Sequence, residues 1–436
     1  MSVIKRLQRL TGEWSQKTEE RDHQTEIAAL RKRIDRIMTR RPKGGTPSSI
    51  PPDRRFLSLT AAIPGEDHCN DSGTCFVQES FFEASAWHGH RRVGDFSGLN
   101  MEAAAALAAN PALAECRLED GLFLDTETTG LAGGTGTMAF LIGLGWFDRE
   151  RFIVRQIFAR DFTEEGAALT QLADIVRARR FLVSFNGKTF DVGLLSTRFI
   201  MNRMQSPFPG LPHLDLLYPA RRLIAHRLEN CRLATLEEKV LGLVRRNDVP
   251  GSEIPQRYFD WLRLGDARPL QDIFTHNRLD IVSLAALMRH LAELIHCFHN
   301  DSHADARDLL AVARWHSERH EQSRAEALLT SLLQSGKLAD RAEARRMLSL
   351  INKRADRWED AVHLWQQMIE DDPRDRFALI ELAKWHEHRA HNAAAALNLV
   401  DQALQSADGR FFAQEREALL HRRQRLQQHL TELSEK

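Results

Sequence analysis

The sequence predicts an α/β domain, with a mixed central sheet flanked by helices, followed by an all-α domain of helical repeats. Three observations carry this. Between Leu118 and about Leu294, short apolar runs alternate with longer segments whose apolar residues recur at helical spacing. One such run, Leu122–Leu124, leads straight into two acids, Asp125 and Glu127, separated by one residue. Beyond about Asp305 the strand-like runs stop, and small and aromatic residues recur at an interval that fits paired helices.

Composition bounds the rest. A chain of 436 residues, 43% hydrophobic and 28% charged, exceeds one ordinary core and reads as two or three globular domains. No apolar run reaches the roughly 18 residues needed to span a membrane. The first residues, Met1-Ser-Val-Ile-Lys-Arg-Leu7, lack the apolar core of a secretory signal. Five scattered cysteines (Cys69, Cys75, Cys116, Cys231, Cys297) give no disulfide framework, which points to a reducing cytoplasm. The formal net charge is zero, so any attraction to nucleic acid must come from local patches.

Residues 1–48 read as a basic helical arm. Ile27, Leu30, Ile34, Ile37 and Met38 keep helical spacing among Arg31, Lys32, Arg33, Arg36, Arg40, Arg41 and Lys43. Such an arm either binds phosphates or is simply a solvated amphipathic helix. Residues 41–52 are turn-rich and read as a linker. Residues 49–117 read as a β-containing extension ending in a linker helix. In it Thr74–Glu79 is a strand after the turn Asn70–Gly73, half of a hairpin, and Ala103–Leu113 is a short Ala-rich helix. His68, Cys69, Cys75, His88 and His90 are zinc-ligand types, but the Cys-x5-Cys spacing is off the usual pattern and straddles a strand.

Residues 118–298 hold the α/β domain. Leu122–Leu124, Ala139–Phe147 and Phe152–Phe158 read as three consecutive strands, with a Gly-rich turn at 132–136 after the first. Gly166–Arg179 is a periodic helix and Phe181–Phe185 a fourth, apolar strand. Phe190–Met201 is a further helix, with a short strand near Leu214–Leu217. A meander followed by alternating helices and strands is the element order of an RNase H-like domain.

The acids carry the chemistry. Side chains alternate faces along a strand, so Asp125 and Glu127 project from one side. Two carboxylates held so close repel unless a cation sits between them, and hard oxygen ligands suit Mg²⁺ or Mn²⁺. Alone, the pair would read as solvated acids at a strand end. Two further motifs follow. Val183–Asp191 places Asp191 after the Asn186-Gly187 turn, at the start of a helix whose dipole also favours an acid. His276-Asn-Arg-Leu-Asp280 places an imidazole and a carboxylate four residues apart, on one helical face.

The ordered set Asp125-x-Glu127-Thr-Thr-Gly130, Asn186-Gly-Lys-x-Phe-Asp191 and His276-x3-Asp280 resembles the DEDD superfamily of DnaQ-like 3′–5′ exonucleases. Within it, the bacterial YprB-like, RNase H-like exonuclease-domain family is most similar, and His213–Arg222, Cys231–Glu237 and Pro250–Pro255 fit that subgroup. The likeness covers about residues 50–295 and is specific over 118–290. It implies that Asp125, Glu127, Asp191 and Asp280 bind metal and that His276 acts as general base. In one respect the chain departs from the superfamily. Members with a histidine usually place it five residues before the last Asp and those with a tyrosine four before, whereas this chain has histidine at the tyrosine spacing. Asp215 matches no ligand position and reads as structural.

Phosphodiester hydrolysis builds negative charge on the attacking and leaving oxygens, and two divalent ions about 4 Å apart stabilise both. On that plan Asp125 bridges the ions, Glu127 and Asp280 complete one shell, Asp191 serves the other, and His276 takes the proton of the water. Lys188 and Asn186 either contact substrate phosphate or finish the turn. Arg221, Arg222 and Arg232 either line a strand-binding groove or are solvated.

Residues 305–436 read as tetratricopeptide-like repeats. Ala313-Arg-Trp-His316 recurs as Ala383-Lys-Trp-His386, and Ala327, Ala361 and Ala396 follow one another at offsets of 34 and 35. Asp372-Pro373 falls between helices, and a polar helix runs from Gln414 to Leu433. Such repeats either bind a protein partner or buttress the nuclease domain. The expected function is a 3′–5′ exonuclease acting on a single-stranded end of DNA or RNA, with no membrane association. The alternatives are an endonuclease or structure-specific nuclease using the same metals and a catalytically weak nucleic-acid-binding scaffold that recruits partners through its repeats.

Overall fold

The computed structural model describes residues 56–96, 98–130, 135–149, 151–246, 248–296, 306–335, 338–405 and 413–434. The expected basic arm, the linker at 41–52, residues 132–134 of the Gly-rich turn and Cys297 lie outside them.

Seven strands form one mixed sheet. They are β1 (Glu66–Asn70), β2 (Gly73–Phe82), β3 (Gly121–Thr128), β4 (Ala139–Asp148), β5 (Arg151–Phe158), β6 (Phe181–Ser184) and β7 (His213–Asp215). Their spatial order is β1-β2-β5-β4-β3-β6-β7. The first five pair antiparallel, while β3–β6 and β6–β7 are parallel. The expected hairpin around Thr74–Glu79 is complete, and it joins the sheet through seven residue pairs between β2 and β5.

Alternation decides what each face meets. Leu122, Leu124, Leu182 and Phe140 lie in one core with helices α1 (Glu165–Arg177), α2 (Asp191–Met201) and α3 (Ile254–Leu264). Phe123, Val183 and Leu214 lie in the other, under the long helix α4 (Arg268–His296). Tyr258 of α3 stacks on Phe140 with ring centroids 4.0 Å apart, and its hydroxyl donates to the Ala159 carbonyl at 3.1 Å. The segment expected as a strand at 214–217 is a strand only to Asp215. From Leu217 it becomes a helix, α5 (Leu217–Leu223), because Asp215 accepts the Leu217 amide at 3.1 Å and starts the turn. The expected helix at 103–113 runs from Met101 to Ala108 and gives way to a 3₁₀ turn at Pro111–Glu115.

The C-terminal region is all helical: α6 (Ala306–Glu318), α7 (Gln322–Ser335), α8 (Leu338–Arg354), α9 (Trp358–Asp371), α10 (Arg376–His388), α11 (Ala393–Gln405) and α12 (Ala413–Ser434). Each packs on the next in sequence. Fully buried alanines stand at the fourth position of α7, α9 and α11, namely Ala325, Ala361 and Ala396. The buried member of the first helix is therefore Ala325 rather than Ala327, which is only half-buried. The first of these helices shares the core beneath α4. Trp315 is enclosed by the guanidinium groups of Arg222 (5.3 Å) and Arg319 (3.5 Å), His316 Nε2 lies 3.1 Å from the Ile295 carbonyl, and Asp308 pairs with His226 and Arg227 at 3.0 Å. Among the described residues no helix is long and apolar enough to cross a membrane.

Candidate active site

The face of β3 that is apolar at Phe123 turns acidic at Asp125 and Glu127. Both acids lie within the strand, which continues to Thr128, and not at its end. Asp125 pairs across the ladder with Gly143 and Glu127 with Leu141. Gly143 matters because α4 crosses there. A Cβ at 143 would lie 2.2 Å from Asn277 Oδ1, so only glycine lets the helix come this close. Asn277 is fully buried. Its Nδ2 donates to Asp125 Oδ2 at 2.9 Å, and its Oδ1 accepts from Gln156 Nε2 at 2.8 Å.

Asp191 begins α2 beyond the end of β6. The preceding turn holds Asn186 in the left-handed region, at φ 65°. Asp215, at the end of neighbouring β7, fixes that turn by accepting the amides of Asn186 (2.7 Å) and Lys188 (3.0 Å). Asp215 thus positions the loop that delivers Asp191. The Thr126 hydroxyl of β3 donates to Asp191 Oδ1 at 2.5 Å, which places this third acid at the carboxyl edge of the parallel strands, where α/β sheets bind ligands.

Helix α4 supplies His276 and Asp280 on the face toward β3. His276 Nε2 lies 3.5 Å from Asp280 Oδ2 and 3.9 Å from Glu127 Oε1. Among the described residues, Glu127, His276 and Asp280 form a group whose ligand atoms lie within 4.8 Å of one another. The segment before α3 closes the other side. Arg245, with a side chain only 7% exposed, is paired through Nη2 with both Asp280 Oδ1 and Glu237 Oε1. Glu237 also accepts from Ser283 of α4, and Asp248 Oδ1 meets His276 Nδ1 at 2.7 Å.

Charge is heavily concentrated here. Burial pushes the Asp125 carboxyl well above its usual range, and Asp280, Glu127 and Asp191 push it further, against the Asn277 bond. Burial likewise raises Glu127, with Asp280 and Asp191 adding to it and Arg245 opposing. Asp191 rises to about 6, mainly by burial, with the Thr126 bond holding it back. Burial opposes the charge on Arg245, but Asp280 and Glu237 outweigh it and carry its guanidinium above its ordinary value. Asp125 and Glu127 are thus raised by neighbouring acids beyond what Arg245 offsets, and the donor set of carboxylate oxygens with one imidazole fits a divalent cation.

The fold thus gathers all five residues expected from sequence, although Asp125 and Asp191 fall outside the tight group. Among the described residues it does not assemble His68, Cys69, Cys75, His88 and His90 into a metal cluster. His88 instead bonds Ser283, with Nε2 2.8 Å from its hydroxyl. Arg222 is engaged by Glu318 and Trp315 and so is no free groove residue. Sequence reading missed Asn277, Arg245 and Asp248. Asn277 lies inside the His276–Asp280 motif, one helical position from His276, and this adjacency was the available signal.

A mixed sheet with paired acids on its third strand, and further acids delivered from beyond β6 and from the closing helix, defines a class of protein. Residues 122–292 match the family model of the RNase_H superfamily, and the chain belongs to that superfamily. Membership implies a nuclease acting on nucleic acid. The chain is 34% identical over 290 residues to the uncharacterized protein YprB of Bacillus subtilis (strain 168), an alignment that covers 65% of this chain and 69% of that protein.

Proposed function

We propose that the protein is a metal-dependent nuclease that hydrolyses phosphodiester bonds, working as a 3′–5′ exonuclease on a single-stranded end of DNA or RNA with two Mg²⁺ or Mn²⁺ ions. The observation that carries this is the convergence of Asp125, Glu127, Asp191 and Asp280, of which the first three have their carboxyls raised by burial, Asp125 and Glu127 also by their acidic neighbours. Bound divalent ions would supply the charge that stabilises the attacking and leaving oxygens. Asp125, Glu127 and Asp280 would hold one ion, and Asp191 would serve a second beside Asp125. Asn277 aims the Asp125 carboxylate. Arg245 holds one oxygen of Asp280, leaving the other turned toward His276. Lys188, exposed three residues before Asp191, would meet a substrate phosphate.

The helical region supports a second role. Read as tetratricopeptide-like repeats, α8–α12 would offer a surface to a protein partner, while α6 is spent on docking to the nuclease domain. The rival reading, a catalytically weak scaffold, gains if the acids prove inert. The test is cleavage of end-labelled single-stranded and duplex DNA and RNA with Mg²⁺ or Mn²⁺, wild type against Asp125→Ala. Stepwise shortening from the 3′ end that is lost in Asp125→Ala supports the exonuclease, and internal cuts would make it an endonuclease. Absence of Asp125-dependent cleavage on every substrate would remove the enzymatic reading.

A further inference from the structure

We infer that His276 is itself a metal ligand, so that the divalent ion held by Glu127 and Asp280 also takes His276 Nε2 and prefers Mn²⁺ to Mg²⁺. This rests on the nuclease reading above and replaces the base role that the family likeness implies for His276. The ring is oriented from behind. His276 Nδ1 lies 2.7 Å from Asp248 Oδ1, an acceptor only, which puts the ring proton on Nδ1 and leaves the Nε2 lone pair facing the acids. Arg245 Nη1 is 3.3 Å from the same nitrogen, but it is itself paired with Asp248 Oδ2 at 3.4 Å and with the His276 carbonyl at 3.5 Å. A carboxylate behind a histidine, with the far nitrogen turned to other ligands, is the usual outer support of a metal-bound imidazole.

The distances suit a shared ion. Atoms that share an ion through bonds of about 2.1 Å stand roughly 3.0–3.4 Å apart at octahedral or tetrahedral angles. His276 Nε2 stands 3.5 Å from Asp280 Oδ2 and 3.9 Å from Glu127 Oε1, within about half an ångström of the spacing that two ligands of one ion adopt. Arg245 already occupies Asp280 Oδ1, so the oxygen free to bind is the one nearest His276. The unusual spacing agrees. Four residues between His276 and Asp280 stack both on one helical face, the arrangement by which a helix offers two ligands to one ion. Imidazole nitrogen suits transition ions, whereas Mg²⁺ prefers oxygen and retains its waters, hence the preference for Mn²⁺.

The test is pulsed electron paramagnetic resonance of Mn²⁺ bound to the full-length protein, with calorimetry and cleavage assays on the same samples. The wild type should show coupling of Mn²⁺ to an imidazole nitrogen and should bind Mn²⁺ at this site about tenfold or more tightly than Mg²⁺. His276→Ala should lose the nitrogen coupling and bind Mn²⁺ 10- to 100-fold more weakly, an effect of the size seen when a metal's supporting shell is broken. The wild-type spectrum alone decides, so a poorly folded variant leaves no gap. Mn²⁺ bound without nitrogen coupling overturns the inference and returns His276 to the base role. Nitrogen coupling without Asp125-dependent cleavage of any strand overturns the nuclease reading while leaving the ligand set standing. No bound Mn²⁺ overturns both.

Discussion

Asp191 shows how burial acts on a single acid of the site. Its carboxyl rises to about 6, chiefly by burial, while an unfolded chain would hold it near the ordinary 3.8. A raised carboxyl contributes its stability below the unfolded value and loses it as pH climbs through the folded one. Metal-free protein should therefore carry a penalty at this position above about pH 6, on the order of 3 kcal/mol at 1.36 kcal/mol per unit. Asp191→Asn keeps an oxygen for the Thr126 hydroxyl and never ionises. In calorimetry without metal, Asp191→Asn should raise Tm relative to wild type at pH 8 and lose most of that advantage at pH 5, and Mn²⁺ should stabilise only the wild type strongly. An advantage equal at both pH values would contradict this assignment of charge. At this scale the sequence was most legible for the acids, because strand alternation and motif spacing fix their faces. Arg245 and Asp248 were not legible. They reach the site from a segment 28 to 35 residues before their partners, and no local periodicity announces that contact.

At the scale of elements, the site depends on how closely α4 lies on the central strands. Gly143 and Gly145 of β4 face the helix, and a Cβ at either would collide, with Asn277 Oδ1 at 2.2 Å or with Ile281 Cγ2 at 2.4 Å. The two substitutions separate packing from chemistry. Gly143→Ala and Gly145→Ala should each cost about 1–3 kcal/mol by overpacking and lower Tm. Only Gly143→Ala should also weaken Mn²⁺ binding, because it displaces the amide that holds Asp125. Equal loss of metal affinity in both would mean that Asn277 has no particular hold on the site. The main strands were legible here, since apolar alternation announces them directly. The passage from β7 into α5 was not, because a buried Asp215 bond, rather than the apolar run through Leu217, ends the strand.

At the scale of the molecule, the helical region and the nuclease domain share a core. Trp315 is 3% exposed, enclosed by Arg222 and Arg319, and belongs to the cluster that also holds Phe123 and Leu287. Trp315→Ala should cost about 3–5 kcal/mol and lower Tm for the whole unit, with far-UV circular dichroism and loss of activity falling together. If the C-terminal helices melted separately while the nuclease domain kept its Tm, the shared core would contribute little. The all-helical character of this region was readable from recurring alanines and tryptophans, but which alanine of α7 is buried was not, since Ala325 and Ala327 differ only in which side of α7 they occupy.

The central claim is that the acids around Asp125 drive phosphodiester hydrolysis. Its most direct test is the degradation of a 5′-labelled single strand by the full-length protein with Mn²⁺, compared with Asp125→Ala of equal Tm. The account predicts a ladder that shortens from the 3′ end and falls at least a hundredfold in rate in Asp125→Ala, a loss of about 2.7 kcal/mol or more in transition-state stabilisation. Cleavage that persists unchanged in Asp125→Ala, or a wild type that cleaves nothing, would contradict it.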